Sequence, residues 1–233
     1  MSNFTTWRSL VDGEEVGGIP DSGVHQWPFD EGSGTTLTDA IGNDDGTLNG
    51  GAWTSGTYEG GEAIDFDGTG DYADFPAISA MDSSNAPYTI AITIDGFSNW
   101  GAGGEGEVFL NFVSSADSNN RFILRAIDGQ LTTWGRQTGG EDAIGWDSPP
   151  NDQKLRIAVT VGSDYEVGAL FVNSDEKTDA GTAGGSDTTV GLNMARRLEG
   201  DSYADVIIDN PIVYDSLLSA SEIETDYDSQ PWS

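Results

Sequence analysis

A chain of 233 residues with 36% hydrophobic and 10% aromatic composition is long and apolar enough for one substantial packed domain. It has no cysteine, which excludes disulfides and zinc–thiolate sites, and no run approaches the roughly 18 apolar residues that span a membrane as a helix. Nine Lys and Arg face 40 Asp and Glu, and a formal net charge of −31 repels both nucleic acid and anionic lipid.

Residues 1–22 read as an N-terminal arm or linker that ends in GGIPDSG, with residues 23–233 as the domain proper. The opening shows no basic segment followed by an apolar one, so no Sec signal is expected. Phe4, Trp7 and Leu10 in this arm either pack on the outside of the domain or dock onto a neighbouring chain, because exposed aromatics are costly without a partner. VHQWPFD reads as the first core strand. AIDFDGTGDYADFP follows as a hairpin, with Ile64 and Phe66 inward, Asp65 and Asp67 outward and a GTG turn. YTIAITID sets Tyr88, Ile90, Ile92 and Ile94 against Thr89, Ala91, Thr93 and Asp95. RFILRAI reads as a further strand. KLRIAVTV sets Leu155, Ile157, Val159 and Val161 against Arg156, Ala158 and Thr160, and VGALFVN and ADVIIDN are also strand-like. Between them lie DGTG, NWGAGGEGE, SSADSNN, IDGQ, TGGED and TAGGSD, rich in the residues that turns demand. Only SLLSASEIETDY is helical, with Ser219 placed to cap, Glu222 three residues on, and Leu218 and Ile223 apolar. The expectation is an all-β antiparallel sandwich or barrel with one short C-terminal helical turn.

The carboxylates run from Asp12 to Asp228 instead of clustering, which points to a whole-surface adaptation. Self-repulsion at this charge destabilises the compact state, and salt screens it, so a hypersaline source is expected.

Catalytic constellations are scarce. His25 is the single histidine, so any Ser–His–Asp triad would be built on it; at the start of a core strand it reads instead as a packing residue. Glycoside hydrolysis needs two carboxylates at a defined separation. The nearest E-x-D-like run, Glu222 to Asp226, falls in the C-terminal helical turn. The chain therefore reads as no enzyme. For calcium, GNDDG supplies Asp44 and Asp45, and DFDGTGD supplies Asp67 and Asp71 around a tight turn. Neither follows EF-hand spacing, and Asp and Asn also favour turns for purely local reasons. For sugar binding, Trp100, Trp134 and Trp146 lie in or beside Gly-rich segments, with Arg136 and Asp142 nearby. They either present a face to a pyranose ring or cover the edge of the core.

WPFDEGSGTTLTDAIGNDDGTLNGGAWTSGTYEGGEAIDFDGTGDYADFP resembles the opening of laminin-G-like domains of the concanavalin A-like jelly-roll group. YTIAITID, LRIAVTVGSDYEVGALFVNSDEKTDAGT and VIIDNPIVYDSLLSASEIETDY follow in that family's order, so the resemblance covers roughly residues 24–228. The opening MSNFTTWRSLVDGEEVGGIPD is similar to stretches that precede such domains in haloarchaea and their viruses. The resemblance implies a two-sheet antiparallel jelly-roll sandwich and, in many members, a calcium ion on a loop rim. It implies no single function. Together with the missing signal, it suggests a non-enzymatic adhesive protein on a virion surface: a capsid decoration, turret or tail fibre. Such a protein would bind host cell-surface glycan or glycoprotein, form a homo-oligomer and attach to other virion proteins through the arm. It would contact no nucleic acid and insert in no membrane. The alternatives are a secreted lectin-like module of a cellular host and, behind it, a polysaccharide-active enzyme.

Overall fold

The computed structural model describes residues 20, 22–56, 61–81, 87–101, 103–104, 106–114, 121–137, 140–162, 167–177, 189–197 and 202–230, and the backbone of 10–11 and 14–15. Side chains at 112–114, 121, 136–137, 140–142 and 189–190 lie outside that description, as do Phe4, Trp7 and the side chain of Leu10.

Short strands follow one another along the chain. Two of them, β1 (Leu10–Val11) and β2 (Glu14–Glu15), pair with each other within the stretch read as an arm. Then come β3 (Gly23–Gln26), β4 (Thr36–Leu37), β5 (Gly46–Asn49), β6 (Ala52–Ser55), β7 (Glu62–Asp67) and β8 (Tyr72–Phe75). The middle of the chain forms β9 (Tyr88–Asp95), β10 (Glu107–Ser114), β11 (Arg121–Ile127), β12 (Gln130–Gln137) and β13 (Gly140–Asp147). The last third supplies β14 (Leu155–Val161), β15 (Val167–Val172), β16 (Asp175–Glu176), β17 (Thr189–Met194), β18 (Asp205–Tyr214) and helix α1 (Ala220–Asp228).

These strands make two antiparallel sheets of eight. The front sheet runs β13-β12-β11-β10-β17-β8-β5-β4; the back sheet runs β16-β15-β14-β9-β18-β7-β6, with β3 beside β18. The architecture is the two-sheet sandwich expected from the alternating strands. Side chains at every second position close the space between the sheets: Ile90, Ile92 and Ile94 of β9 and Ile157 and Val159 of β14 meet Leu110, Phe122, Leu124 and Leu192 from the front. Burying each such side chain contributes about 1.5–3 kcal/mol. The hairpin of β7 and β8 places Ile64 and Phe66 in this core and leaves Asp65 and Asp67 exposed.

The second face of the back sheet departs from simple alternation. In β9 and β14 the residues opposite the core are buried as well, leaving only Asp95 partly exposed. Helix α1 covers that face: Ala91, Ala158, Ala169, Phe171, Ile212 and Tyr214 form a second apolar cluster with Leu218 and Ile223. The helix starts where its sequence marks it, with Glu222 Oε2 accepting from the Ser219 backbone N–H (2.8 Å) and hydroxyl (2.7 Å). It is held down by a buried polar network. Arg156 donates from Nε and Nη2 to the two carboxylate oxygens of Asp226 (2.8 and 2.9 Å) and from Nη1 to the Asn210 carbonyl (2.8 Å). Tyr214 donates its hydroxyl to Asp226 Oδ1 at 2.5 Å. Strand β18 carries a bulge at this point, with its register shifting between Asp209 and Ile212 and Asn210 at φ 43°. Pro211 has no N–H to give a ladder, which suits a bulge. The bulge frees the Asn210 side chain to accept from Gln26 and to donate to Gln230, each at 2.8 Å. Among the described residues no helix is long and apolar enough to cross a membrane.

Candidate functional site

With the back sheet covered by α1, the other broad face of the sandwich is the outer face of the front sheet. Register places a row straight across it: Thr47, Asp74, Asn193, Asn111, Ile123, Trp134 and Ala143 on seven neighbouring strands. A sheet face turned to plain solvent would carry scattered charge. Here the row holds a carboxylate, two amides and an indole, and Asn193, Asn111 and Ile123 are almost fully buried.

Asp74 is the hub of one half. It accepts from the Asn193 side-chain amide, from Arg196 Nη2 (3.0 Å) and from Asn49 Nδ2 (3.4 Å). The Arg196 guanidinium also lies over the Tyr72 ring, its Cζ 3.6 Å from the centroid. In the other half, Arg125 Cζ stands 5.8 Å from the ring of half-buried Trp134. Between the halves, Asn111 is 1% exposed and its Oδ1 has no hydrogen-bond donor among the described residues. A buried amide oxygen left this way costs about 1–3 kcal/mol.

The residues singled out in the sequence fall in several places. Trp134 lies in the middle of β12 on the row, within a strand and not in a loop. Arg136 is two residues along, opposite Arg121 and Glu141, and Asp142 is opposite Gly135; the side chains of Arg136 and Asp142 lie outside the described residues. Trp100 fills the core at 5% exposure, edge-on to Phe97 (4.6 Å), with Nε1 donating to the Pro150 carbonyl (3.2 Å). Trp146 sits within β13 and packs against the core at the sandwich edge, under Lys177 Nζ at 4.9 Å. Of the three, Trp134 alone lies on the row across the outer face of the front sheet.

The carboxylates considered for calcium sit on two separate turns and are tied up locally. Asp45 Oδ1 accepts from the Asp39 N–H (2.9 Å), Asp44 Oδ2 lies 3.7 Å from His25 Nε2, and Asp67 Oδ1 closes its own turn on the Thr69 N–H (2.7 Å). Asp71 packs against Gly50. Among the described residues no three His, Cys, Asp or Glu side chains gather into a group that could hold a metal ion.

His25 is a packing residue. Its ring stacks on Trp27 with centroids 5.7 Å apart, and its Nδ1–H donates to Asp39 Oδ2 (2.6 Å), since an ionised carboxylate only accepts. Asp39, on which the sequence offered no signal, organises the whole loop: its carboxylate also takes the backbone N–H groups of Gln26, Ile41, Gly42 and Asp44 at 2.9–3.2 Å. Burial alone would raise its pKa, but the His25 bond and the N–H groups of Gly42, Asp44 and Gln26 outweigh it and hold the group at about 2.

Asp74, Asn193, Asn111, Arg125 and Arg196 escaped sequence reasoning. The available signal was the rarity of cations: in a chain with nine Lys and Arg, RFILRAI carries two of them at one face of a single strand.

No protein-family model matches the chain, and no curated protein matches it. Solved structures do share its fold. Domain 4 of AbnA, an extracellular arabinanase from Geobacillus stearothermophilus described in complex with arabinotriose, superposes with a TM-score of 0.67 at 19% identity, over 88% of this chain and 98% of that one. The receptor binding domain of botulinum neurotoxin C/D mosaic serotype gives a TM-score of 0.70 at 13% identity, covering 90% of this chain and 52% of that one. Trypanosoma rangeli sialidase gives 0.66 at 14% identity over 95% of this chain, which spans only 35% of the sialidase chain. At these identities the likeness establishes the fold: a two-sheet β-sandwich of the kind carried by these proteins.

Proposed function

We propose that this chain is a carbohydrate-binding β-sandwich module and not an enzyme, with its glycan held on the outer face of the front sheet. The row Asp74–Asn193–Asn111–Ile123–Trp134 carries the reading. Along it lie half-buried Trp134, a ring that can stack on a pyranose, and partly exposed Asp74, a carboxylate that can accept from hydroxyls, on either side of the buried Asn193, Asn111 and Ile123. Support from outside the chain comes from the same-fold arabinanase domain, which is described with a bound oligosaccharide. Replacing Trp134 with alanine is expected to weaken glycan binding by roughly tenfold or more, about 1.4 kcal/mol. The thermal transition should stay within a few degrees, because the ring is half-buried and outside the apolar clusters. Titration calorimetry and glycan-array screening of the wild type and Trp134→Ala check this; binding unchanged in the variant would remove the row from consideration.

The finer reading is a laminin-G-like adhesive module on the surface of a virion in a hypersaline medium. It rests on the sequence resemblance and on the net charge of −31. The residue 1–22 arm, with Phe4, Trp7 and Leu10, would serve as the mounting and oligomerisation element, and several copies would give avidity to weak single sites. Deleting residues 1–22 should then abolish incorporation into particles while leaving glycan binding intact. The charge makes its own prediction. Raising NaCl from about 0.1 to about 1 M shortens the screening length from roughly 10 to 3 Å, and the thermal midpoint should climb by several degrees. A midpoint that is flat or falling with salt contradicts a halophilic origin.

A further inference from the structure

We infer that two copies of this chain pair edge to edge through β13, joining their front sheets into one antiparallel sheet across a two-fold axis. An open sheet edge is a row of unpaired backbone N–H and C=O groups that templates another strand, and folded proteins keep such edges short or interrupt them. Of the four edge strands described, three follow that rule: β4 and β16 are two residues long and β6 is four. The fourth, β13, runs for eight residues without a proline, a lysine or a register shift. Its pairing with β12 fixes the direction of each backbone group. Ser148 N–H donates to the Gly129 carbonyl at 3.0 Å, and bonded and non-bonded pairs alternate along an antiparallel ladder. Ile144 and Trp146 therefore exchange bonds with Thr133 and Leu131, whereas Glu141, Ala143, Gly145 and Asp147 direct their N–H and C=O groups away from β12. Among the described residues no backbone bond uses those groups of Ala143 and Gly145, and both residues are exposed. Strand β15 of the back sheet packs against both β12 and β13, so it lies under them and not along this edge.

The strand is complementary to itself, which makes a second copy the partner. Only the odd-numbered positions offer outward bonding groups, so the two-fold must set odd residues opposite odd ones. Centring it on Asp142 would oppose two aspartates, and centring it on Ile144 would oppose Glu141 to Asp147; like charges directly across a ladder are destabilising. Centring it on Gly145 would set Glu141 opposite Pro149, which lies beyond the strand and has no N–H. Centred on Ala143, the strand meets neither obstacle. Glu141 then faces the partner's Gly145, Asp142 faces the partner's Ile144, and the pairs formed at Glu141, Ala143 and Gly145 each exchange both backbone bonds. The seam is not crowded, because Ala143 and Gly145 are its outer-face residues and Ile144 is buried in the core. The row across the front sheet ends at Ala143, so the two-fold carries it on to the partner's Ala143 and the partner's Trp134. Three strand spacings, about 14 Å, separate the two Trp134 positions, and one extended glycan would reach both; that consequence alone rests on the carbohydrate-binding reading above. A seam of one strand per copy is smaller than the roughly 1,200–2,000 Å² of a standard stable interface, and each copy carries a net charge of −31. The pairing is therefore weak in dilute buffer and strengthens as salt screens the repulsion.

Analytical ultracentrifugation of the full chain in about 1 M NaCl is expected to show a monomer–dimer equilibrium, weakened roughly tenfold or more in about 0.1 M NaCl. Ala143→Pro should abolish the dimer, because it removes the N–H at the centre of the seam while the ladder to β12 uses no N–H at this position. An unchanged far-ultraviolet spectrum and thermal transition verify that the variant is folded. Should proline unfold the chain, a disulfide reads the same contact. The sequence has no cysteine, so Ala143→Cys introduces a single thiol opposite its own copy, at a Cα separation of about 5.5 Å that a disulfide spans. Under mild oxidation it should form covalent dimers roughly tenfold or more faster than Thr36→Cys, an exposed position on β4 at the far end of the sheet. A chain that stays monomeric up to about 1 mM overturns the proposal. A dimer that persists in folded Ala143→Pro overturns it as well, since another surface then makes the contact, and so does equal cross-linking of the two cysteine variants. Sedimentation is read without any glycan, so failure of the pairing and failure of the carbohydrate-binding reading are separate results.

Discussion

Replacing Asp226 with alanine is expected to destabilise the protein by about 3–5 kcal/mol, the usual consequence of removing one partner from a buried ion pair. Arg156 is 2% exposed and Asp226 is fully buried. Without the carboxylate, the guanidinium would lose its bidentate partner while keeping the Asn210 carbonyl at 2.8 Å and Thr93 Oγ1 at 3.4 Å, and its charge would lose its ion pair inside the protein. Tyr214 would lose its acceptor at the same time, and Gln230 its 3.5 Å contact to Oδ1. Urea denaturation at high salt gives the number, and the salt condition matters: a pair this deep is hardly screened, so the loss should persist where surface pairs contribute nothing. The double variant Asp226→Leu with Arg156→Met should recover much of the stability, because the penalty is the stranded charge. A single substitution costing less than about 1 kcal/mol would mean that α1 is held by its apolar contacts alone. The same cluster limits alkaline stability. Burial, then the neighbouring Asp226 charge, push the Tyr214 hydroxyl well above its ordinary value of 10.0, against the pull of Arg156. The folded protein retains this proton after the unfolded chain has released it. The contribution is therefore complete below about pH 10 and is lost as pH rises beyond it.

At the acid end the decisive residue is Asp39, and Asp39→Ala should cost about 3 kcal/mol. Its carboxylate satisfies four backbone N–H groups of the β3–β5 connection as well as His25, and its side chain is fully buried. Removing it strands several donors at about 1–3 kcal/mol each, offset in part by water entering the loop. The pH dependence has a defined sign. The folded pKa of about 2 lies below the ordinary 3.8, so the stabilisation is present above about pH 4 and is lost as pH falls through about 2. With allowance for solvent screening it amounts to roughly 1–2 kcal/mol. In Asp39→Asn the denaturation midpoint should vary less between about pH 4 and pH 2 than in the wild type; parallel profiles would show that another carboxylate governs the acid limb.

Local periodicity carried most of the fold. The alternation in YTIAITID and KLRIAVTV assigns each side chain to its correct face, and the Ser219–Glu222 spacing marks the start of α1. Alternation could not tell that both faces of β9 and β14 are buried, because the covering element lies far along the chain: Asp226 meets Arg156 across 70 positions. Trp134 and Trp146 resemble loop residues in sequence because glycines stand beside them. In the structure Gly135 and Gly145 are inside strands, and a Cβ on Gly145 would come within 3.2 Å of Gln130 Oε1 on the neighbouring strand. Glycine there makes room for a side chain and does not signal a turn. The ligand row was the least legible part. Asp74 and Asn193 meet across 119 positions through the pairing of β8 with β17, and no short-range pattern records which strands become neighbours.

The helix on the back sheet also sets where the polypeptide can be cut. Tyr214 is the last residue of β18 and completes the sandwich by strand count, so it is the natural place to trim a minimal domain for expression or display. A chain ending there would lose Leu218, Ile223 and Asp226 together, leaving Phe171, Ile212 and an ionised Arg156 open on one broad surface. Such a fragment would stick to itself or to the resin used to purify it. The smallest well-behaved version runs through Gln230, and fusion partners belong beyond that residue.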